Sequence, residues 1–188
     1  MNLRDAIEAW ARIDGDIVRV DGFLNHRVDP GVIAALGTDV AKRLAPRAPD
    51  VILTAEASGI PIAIAAGLEM GLPVVYAKKY VGRGTRESFA RDVASPTKGT
   101  EYRVEVFRHA LEPATRIAVV DDFLSGGRTA QALGEIAEEA GCVVVGFVFA
   151  IEKTFMPGRA LLEAHGWSVE AVVQINSIAD GSVELSQG

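Results

Sequence analysis

The chain has almost no cysteine. Of its 188 residues only Cys142 carries a thiol, so no disulfide can close within it. That residue stands in an apolar run, where a buried and unreactive thiol is expected instead of a nucleophile. An excess of positive charge is also missing. Nineteen Lys and Arg face twenty-five Asp and Glu, a formal charge of −6, which disfavours generic binding to nucleic acid. The most hydrophobic stretches, about 60–77 and 142–151, are interrupted or too short to span a membrane. The start, Met1-Asn2-Leu3-Arg4-Asp5, lacks the basic and apolar regions of a signal peptide, and no repeat or low-complexity tract is present. A soluble, cytoplasmic protein is expected. At 49% hydrophobic content, one domain over 1–188 with one substantial core is the default.

The charge is unevenly spread. Between Lys78 and Arg108 eight basic residues (Lys78, Lys79, Arg83, Arg86, Arg91, Lys98, Arg103, Arg108) stand against Glu87, Asp92, Glu101 and Glu105, so this stretch is +4 and the remainder −10. A cationic segment on an acidic protein suits a small polyanion, although a solvated basic loop would show the same charges. Hydrophobic spacing predicts helices over 3–13, from Pro30 to about 45, through 70 after Gly59, over 127–140 and near 161–165. Strands are predicted at 17–20, 51–54, 72–77, 101–108, 116–120, 142–151 and 169–173, the last at an edge. The stretch from 78 to about 100 has no sustained period and reads as a functional lid or a disordered segment. Strands alternating with helices imply an open, mainly parallel α/β sheet covered on both faces, with ligands beyond the carboxyl ends of strands.

One segment carries specific chemistry. Val119-Val120-Asp121-Asp122-Phe123-Leu124-Ser125-Gly126-Gly127-Arg128-Thr129 runs from a strand through two acids and a small-residue turn into a helix. Glycines let backbone N–H groups converge, and the helix N-terminus adds positive potential, which together make a seat for a phosphate. Carboxylates beside that seat would repel phosphate but suit sugar hydroxyls, directly or through Mg²⁺. A phosphate with a ribose diol next to it satisfies both halves.

The segment resembles the donor motif of type I phosphoribosyltransferases. The resemblance implies that fold, a mainly parallel twisted sheet with a small hood, and phosphoribosyl pyrophosphate as co-substrate with Mg²⁺. It places Asp121 and Asp122 on the ribose hydroxyls and Ser125, Gly126, Gly127, Arg128 and Thr129 around the 5′-phosphate. The family's commonest form has glycine where this chain has Arg128, which leaves the backbone conformation there open. Glu56, Ala57, Ser58 and Gly59, in a second strand-turn-helix, match the pyrophosphate loop. Lys78 and Lys79 match basic residues that contact pyrophosphate, and 78–100 matches the mobile hood. No side chain is assigned as a direct metal ligand; Mg²⁺ enters on the donor, with Asp121 and Asp122 as the acids in reach.

Two further segments, Val18 to Pro30 (with Asn25 and His26) and Ile151 to Arg159 (with Lys153, Phe155 and Pro157), resemble the xanthine phosphoribosyltransferases of bacterial purine salvage over nearly the whole chain. Transfer of 5-phosphoribose to xanthine, giving xanthosine 5′-monophosphate and pyrophosphate, is the activity this implies. Asn25 and the backbone near Val18 would read the base, and Lys153 would hydrogen-bond a purine oxygen. A lysine ammonium only donates, so it favours a 6-oxo purine over adenine. Guanine or hypoxanthine as the preferred base, or a non-catalytic sensor of purine or donor, are the alternatives. Phe155 reads as an apolar wall or a core aromatic, and His26 as a hydrogen-bonded loop residue. The resemblance also implies a homodimer.

Overall fold

A computed structural model describes the chain except for residues 81–86, 95–100 and 180. Helix α1 (Leu3–Trp10) begins on Asn2, whose side chain accepts from the Asp5 N–H at 2.9 Å, and it buries Leu3, Ala6 and Ile7. It ends earlier than the helical spacing predicts, because Ile13 is used differently. Strand β1 (Arg12–Asp14) pairs with β2 (Ile17–Arg19) in a hairpin that sets Ile13 opposite Val18. A π-helical turn over Asp21–Asn25 then buries Phe23 and Leu24. Helix α2 (Pro30–Leu44) opens with proline in its first turn, and Asp29 accepts from the N–H groups of Gly31 and Val32, so two of the orphan donors at its start are satisfied.

The remaining strands form one eight-stranded sheet. In chain order they are β3 (Val51–Ala55), β4 (Val74–Tyr80), β5 (Ser88–Ala94), β6 (Glu101–Phe107), β7 (Arg116–Leu124), β8 (Val143–Lys153), β9 (Val169–Ala179) and β10 (Ser182–Gln187). They lie in the order β10-β9-β8-β7-β3-β4-β6-β5. The central pairs are parallel, whereas β9–β10, β4–β6 and β5–β6 are antiparallel. Helices α3 (Gly59–Met70), α4 (Arg128–Glu139) and α5 (Gly158–Glu163) supply the crossovers. One apolar core lies where α1, α2 and α3 cover the sheet, and the second lies beneath α4 and α5.

Four expectations are corrected. The stretch 78–100 is not without secondary structure: β4 runs through Lys78 and Lys79 to Tyr80, and β5 occupies its middle, burying Phe89 and Val93. Arg83, Arg86 and Lys98, expected in the hood, lie outside the described residues. Strand β7 continues through Asp121 and Asp122 to Leu124, held by β8 up to Glu152. The last helix, α5, begins at Gly158, ahead of the predicted 161. Strand β9 is internal, because β10 pairs against it and becomes the edge.

Candidate active site

A cavity of about 320 Å³ opens where β4, β6, β7 and the start of α4 meet, and it gathers most of the predicted donor residues. Lys79, Asp121, Asp122, Ser125, Gly126, Gly127, Arg128 and Thr129 all line it. Its location, at the carboxyl ends of parallel strands, is where α/β sheets take ligands. Gly127 is the N-cap of α4 with φ +76°, a left-handed conformation, and a Cβ there would come within 2.9 Å of the Gly158 Cα. The turn therefore needs glycine for conformation and for space. Arg128 follows as the first helical residue. Its backbone is ordinary helix, so a side chain is admitted where the family's commonest form has none.

The two acids have different surroundings. Asp121 is 8% exposed and Asp122 half-buried. Burial, followed by the charge of Asp122, pushes the Asp121 carboxyl up to about 8. Its Oδ1 accepts from the Asp122 N–H at 2.9 Å, and Asp122 Oδ1 accepts from the Phe123 N–H at 2.9 Å. The buried member of the pair therefore keeps its proton through neutral pH.

The second loop lies against the first. A Cβ on Gly59 would overlap Thr54 Oγ1 and Asp121 Oδ1, so the absence of a side chain lets the start of α3 reach the acidic pair. Thr54 Oγ1 is buried without a hydrogen-bond partner among the described residues. Glu56, Ala57 and Ser58 form the turn between β3 and α3, Gly59 opens the helix, and the Glu56–Ala57 peptide is cis. Glu56 turns its carboxylate onto the Lys79 backbone, Oε1 accepting the N–H at 2.6 Å. The Glu56 N–H donates to the Ala77 carbonyl at 2.9 Å, so neither this side chain nor this N–H is open to an anion.

Lys78 does not join the group. Alternation along β4 sends it to the other face of the sheet, into a separate cavity of about 300 Å³ with Tyr76, Tyr80, Glu105 and Phe107. Tyr102, Val93 and Met156 line the cavity that holds Lys79, Asp121 and Asp122 without having been singled out from the sequence. The Tyr102 hydroxyl lies 2.7 Å from Thr129 Oγ1, and Lys79 Nζ sits 5.5 Å from its ring. The signal for Tyr102 was its phase: it shares the inward face of β6 with Val104 and Val106.

The residues predicted to read the base lie outside that cavity. Lys153 ends β8 and donates from Nζ to the Asp16 carbonyl at 2.7 Å, which ties it to the hairpin carrying Val18. Burial lowers its pKa. Val18 itself is buried. Asn25 Oδ1 is buried with no partner among the described residues, an acceptor waiting for an N–H. His26 is exposed, with its backbone N–H donating to Asp21. Phe155 is 49% exposed, which removes the core-aromatic reading. Cys142 is buried, its Sγ 3.3 Å from the Glu112 carbonyl, and burial raises its pKa, as an inert thiol requires. Among the described residues no cluster of three or more His, Cys, Asp or Glu could hold a metal, and no helix is long and apolar enough to cross a membrane.

Known proteins resemble this arrangement in fold and in sequence. The adenine phosphoribosyltransferase of Giardia lamblia superposes with a TM-score of 0.76 over 94% of this chain and 99% of its own, at 18% identity. That of Thermoanaerobacter pseudethanolicus gives 0.69 over 78% and 82%, at 25% identity. The fold is thus that of the phosphoribosyltransferases. No protein-family model matches the chain. In sequence, the xanthine phosphoribosyltransferase of Chloroflexus aurantiacus is 42% identical over 175 residues, 93% of this chain and 83% of the relative. The chain belongs to the xanthine phosphoribosyltransferase family, and it is an enzyme of the transferase class.

Proposed function

We propose that the enzyme transfers 5-phosphoribose from phosphoribosyl pyrophosphate to xanthine, forming xanthosine 5′-monophosphate and pyrophosphate in purine salvage. The observation that carries the donor half is the single cavity in which an anion-seating turn and two carboxylates adjoin. In this reading the N–H groups of Ser125 to Thr129 take the 5′-phosphate, and the backbone of Ala57, Ser58 and Gly59 takes the pyrophosphate with Lys79 beside it. Asp121 and Asp122 hold the ribose hydroxyls. A protonated Asp121 can donate to one hydroxyl while a carboxyl oxygen of Asp122 accepts from another. Lys78 faces elsewhere and has no part in this set.

The bond to pyrophosphate breaks ahead of attack, leaving positive character on the sugar as in glycoside chemistry. Asp122 steadies that charge, and Lys79 with the backbone dipoles steadies the departing pyrophosphate. Magnesium fits here as an ion held chiefly by donor and water oxygens, with Asp121 and Asp122 the nearest carboxylates. When bound it supplies charge neutralisation at the leaving group. No covalent nucleophile is required, and no residue is assigned as general base.

For the acceptor, the unpartnered Asn25 Oδ1 would take a purine N–H, and Lys153 would donate to a purine oxygen. Xanthine is the most acidic of the common purines, and Lys153 favours its anion. Exposed Tyr76, Tyr80 and Phe107 around the second cavity, with Ile64 and Leu68 exposed on α3, give a face through which two copies would pair, with the enzyme working in the cytoplasm. Pyrophosphate release measured side by side with xanthine, guanine, hypoxanthine and adenine tests the reading. Turnover should be fastest with xanthine and negligible with adenine. Negligible release with xanthine would sink the specificity, and no release with any base would favour a sensor.

A further inference from the structure

Glu152 is a carboxylate in the wrong place for ordinary protein economy. It stands one residue before Lys153 in β8 and is only 2% exposed. Arg159, on α5, grips it with both arms: Nε donates to Oε1 at 2.7 Å and Nη2 to Oε2 at 2.6 Å. Gln174, on β9, donates to the same Oε2 at 2.9 Å. The remaining arm of Arg159 donates from Nη1 to the Val169 carbonyl at 2.7 Å and lies 3.4 Å from Glu163. Burial alone would raise the Glu152 pKa, but the hydrogen bonds from Arg159 and Gln174 outweigh it and hold the carboxyl below its ordinary value.

A buried ion pair of this kind adds little net stability, since the desolvation of both charges offsets their attraction. What a two-armed fork does add is direction, because a guanidinium and a carboxylate meet in one plane and one register. That direction matters at this point of the chain. Lys153 follows Glu152 immediately, and successive side chains of a strand leave opposite faces. Fixing Glu152 on one face therefore fixes the root of Lys153 on the other, where its ammonium reaches the hairpin carbonyl of Asp16. Helix α5 has six residues, too few to be stable by itself, so the fork also anchors the helix that closes the loop. Gly158, the residue before Arg159, donates its N–H to the Ser125 carbonyl at 2.9 Å, a backbone bond that involves none of the fork's side chains. The donor's phosphate turn thus keeps its own hold on the loop.

We propose that Glu152, Arg159 and Gln174 are positioning residues for the acceptor: the buried fork sets the direction of Lys153 and with it the affinity for the purine, while the donor site is spared. The inference rests on Lys153 as the base-reading lysine, and the experiment separates the two. KM for xanthine, KM for phosphoribosyl pyrophosphate, kcat and Tm are measured for Glu152→Gln, Arg159→Lys and Lys153→Met. A double variant, Glu152→Leu with Arg159→Met, is added, because it leaves neither charge buried alone and folds even where a single variant does not.

A misdirected Lys153 forfeits a hydrogen bond to a charged group, so KM for xanthine should rise about tenfold or more. KM for the donor should stay within about twofold, as expected when only the acceptor's binding interactions are lost. The double variant should show the same split. Folded fork variants with unchanged KM for xanthine, beside a Lys153→Met protein in which it rises, would overturn the inference and leave the base-site reading standing. Unchanged KM in Lys153→Met would overturn that reading, and the inference with it.

Discussion

The buried acid Asp121 makes a prediction that needs no substrate. Asp121 is pushed up to about 8, first by burial and then by the charge of Asp122. Unfolded, its pKa returns to about 3.9. A carboxyl raised on folding binds an extra proton between those values, so its contribution to stability is fully present below about pH 4 and is lost as pH rises through about 8. Each pKa unit is about 1.36 kcal/mol, so from pH 6 to pH 9 the wild-type protein should lose about 2.7 kcal/mol through this group. Asp121→Asn imitates the neutral form, and its Oδ1 can still accept the Asp122 N–H. Urea unfolding of both proteins at pH 6 and pH 9, with chelator present, isolates the effect because every other titrating group is shared. The variant's stability relative to wild type should increase by about 2–3 kcal/mol between the two pH values. Parallel pH profiles would refute the assignment of a proton to Asp121 in the folded protein.

Three other outcomes are expected. Gly127→Ala forces a left-handed conformation and sets a Cβ 2.9 Å from the Gly158 Cα; it should cost about 2–4 kcal/mol in urea unfolding and raise KM for the donor at least tenfold. Tyr102→Phe deletes the hydroxyl 2.7 Å from Thr129 Oγ1; a loss of about 1 kcal/mol of donor affinity, roughly fivefold, should appear by calorimetry. Leu68 is 80% exposed on α3; Leu68→Glu should convert a dimer into a monomer in light scattering, because burying a leucine is worth about 1.5–3 kcal/mol and burying a lone carboxylate is costly. A monomeric wild-type protein would remove that face as a pairing surface.

The donor motif was legible because its parts are consecutive. Strand, acids, small-residue turn and helix follow one another from Val119 to Thr129, so local rules alone assemble the seat. Strand β5 was less so. Phe89 and Val93 are buried, but they stand among Ser, Arg and Asp, and only pairing with β6 makes them a strand. Lys78 and Lys79 show a different limit. Alternation separates them, yet which one turns to the donor depends on which face of β4 meets α4, and that is decided by the whole sheet. The final hairpin did leave a trace, since Asp180-Gly181 between alternating runs is a hairpin signal. Val183 and Leu185 supply the apolar phase that packs β10 against the core.

The acceptor side could not have been read in this way, and the reason is physical. Lys153 meets Asp16 across 137 residues of chain, and Glu152 meets Gln174 across 22. The acceptor left open at Asn25 depends on a π-helical turn that no period announces. Phosphate is recognised by backbone N–H groups, which any short run of small residues before a helix can present. A purine edge must be matched by side chains whose directions are fixed from several elements at once. Local chemistry therefore defines the donor, while the choice of base rests on tertiary contacts. The family relation supplies that choice, and the fork at Glu152 and Arg159 is where it can be tested.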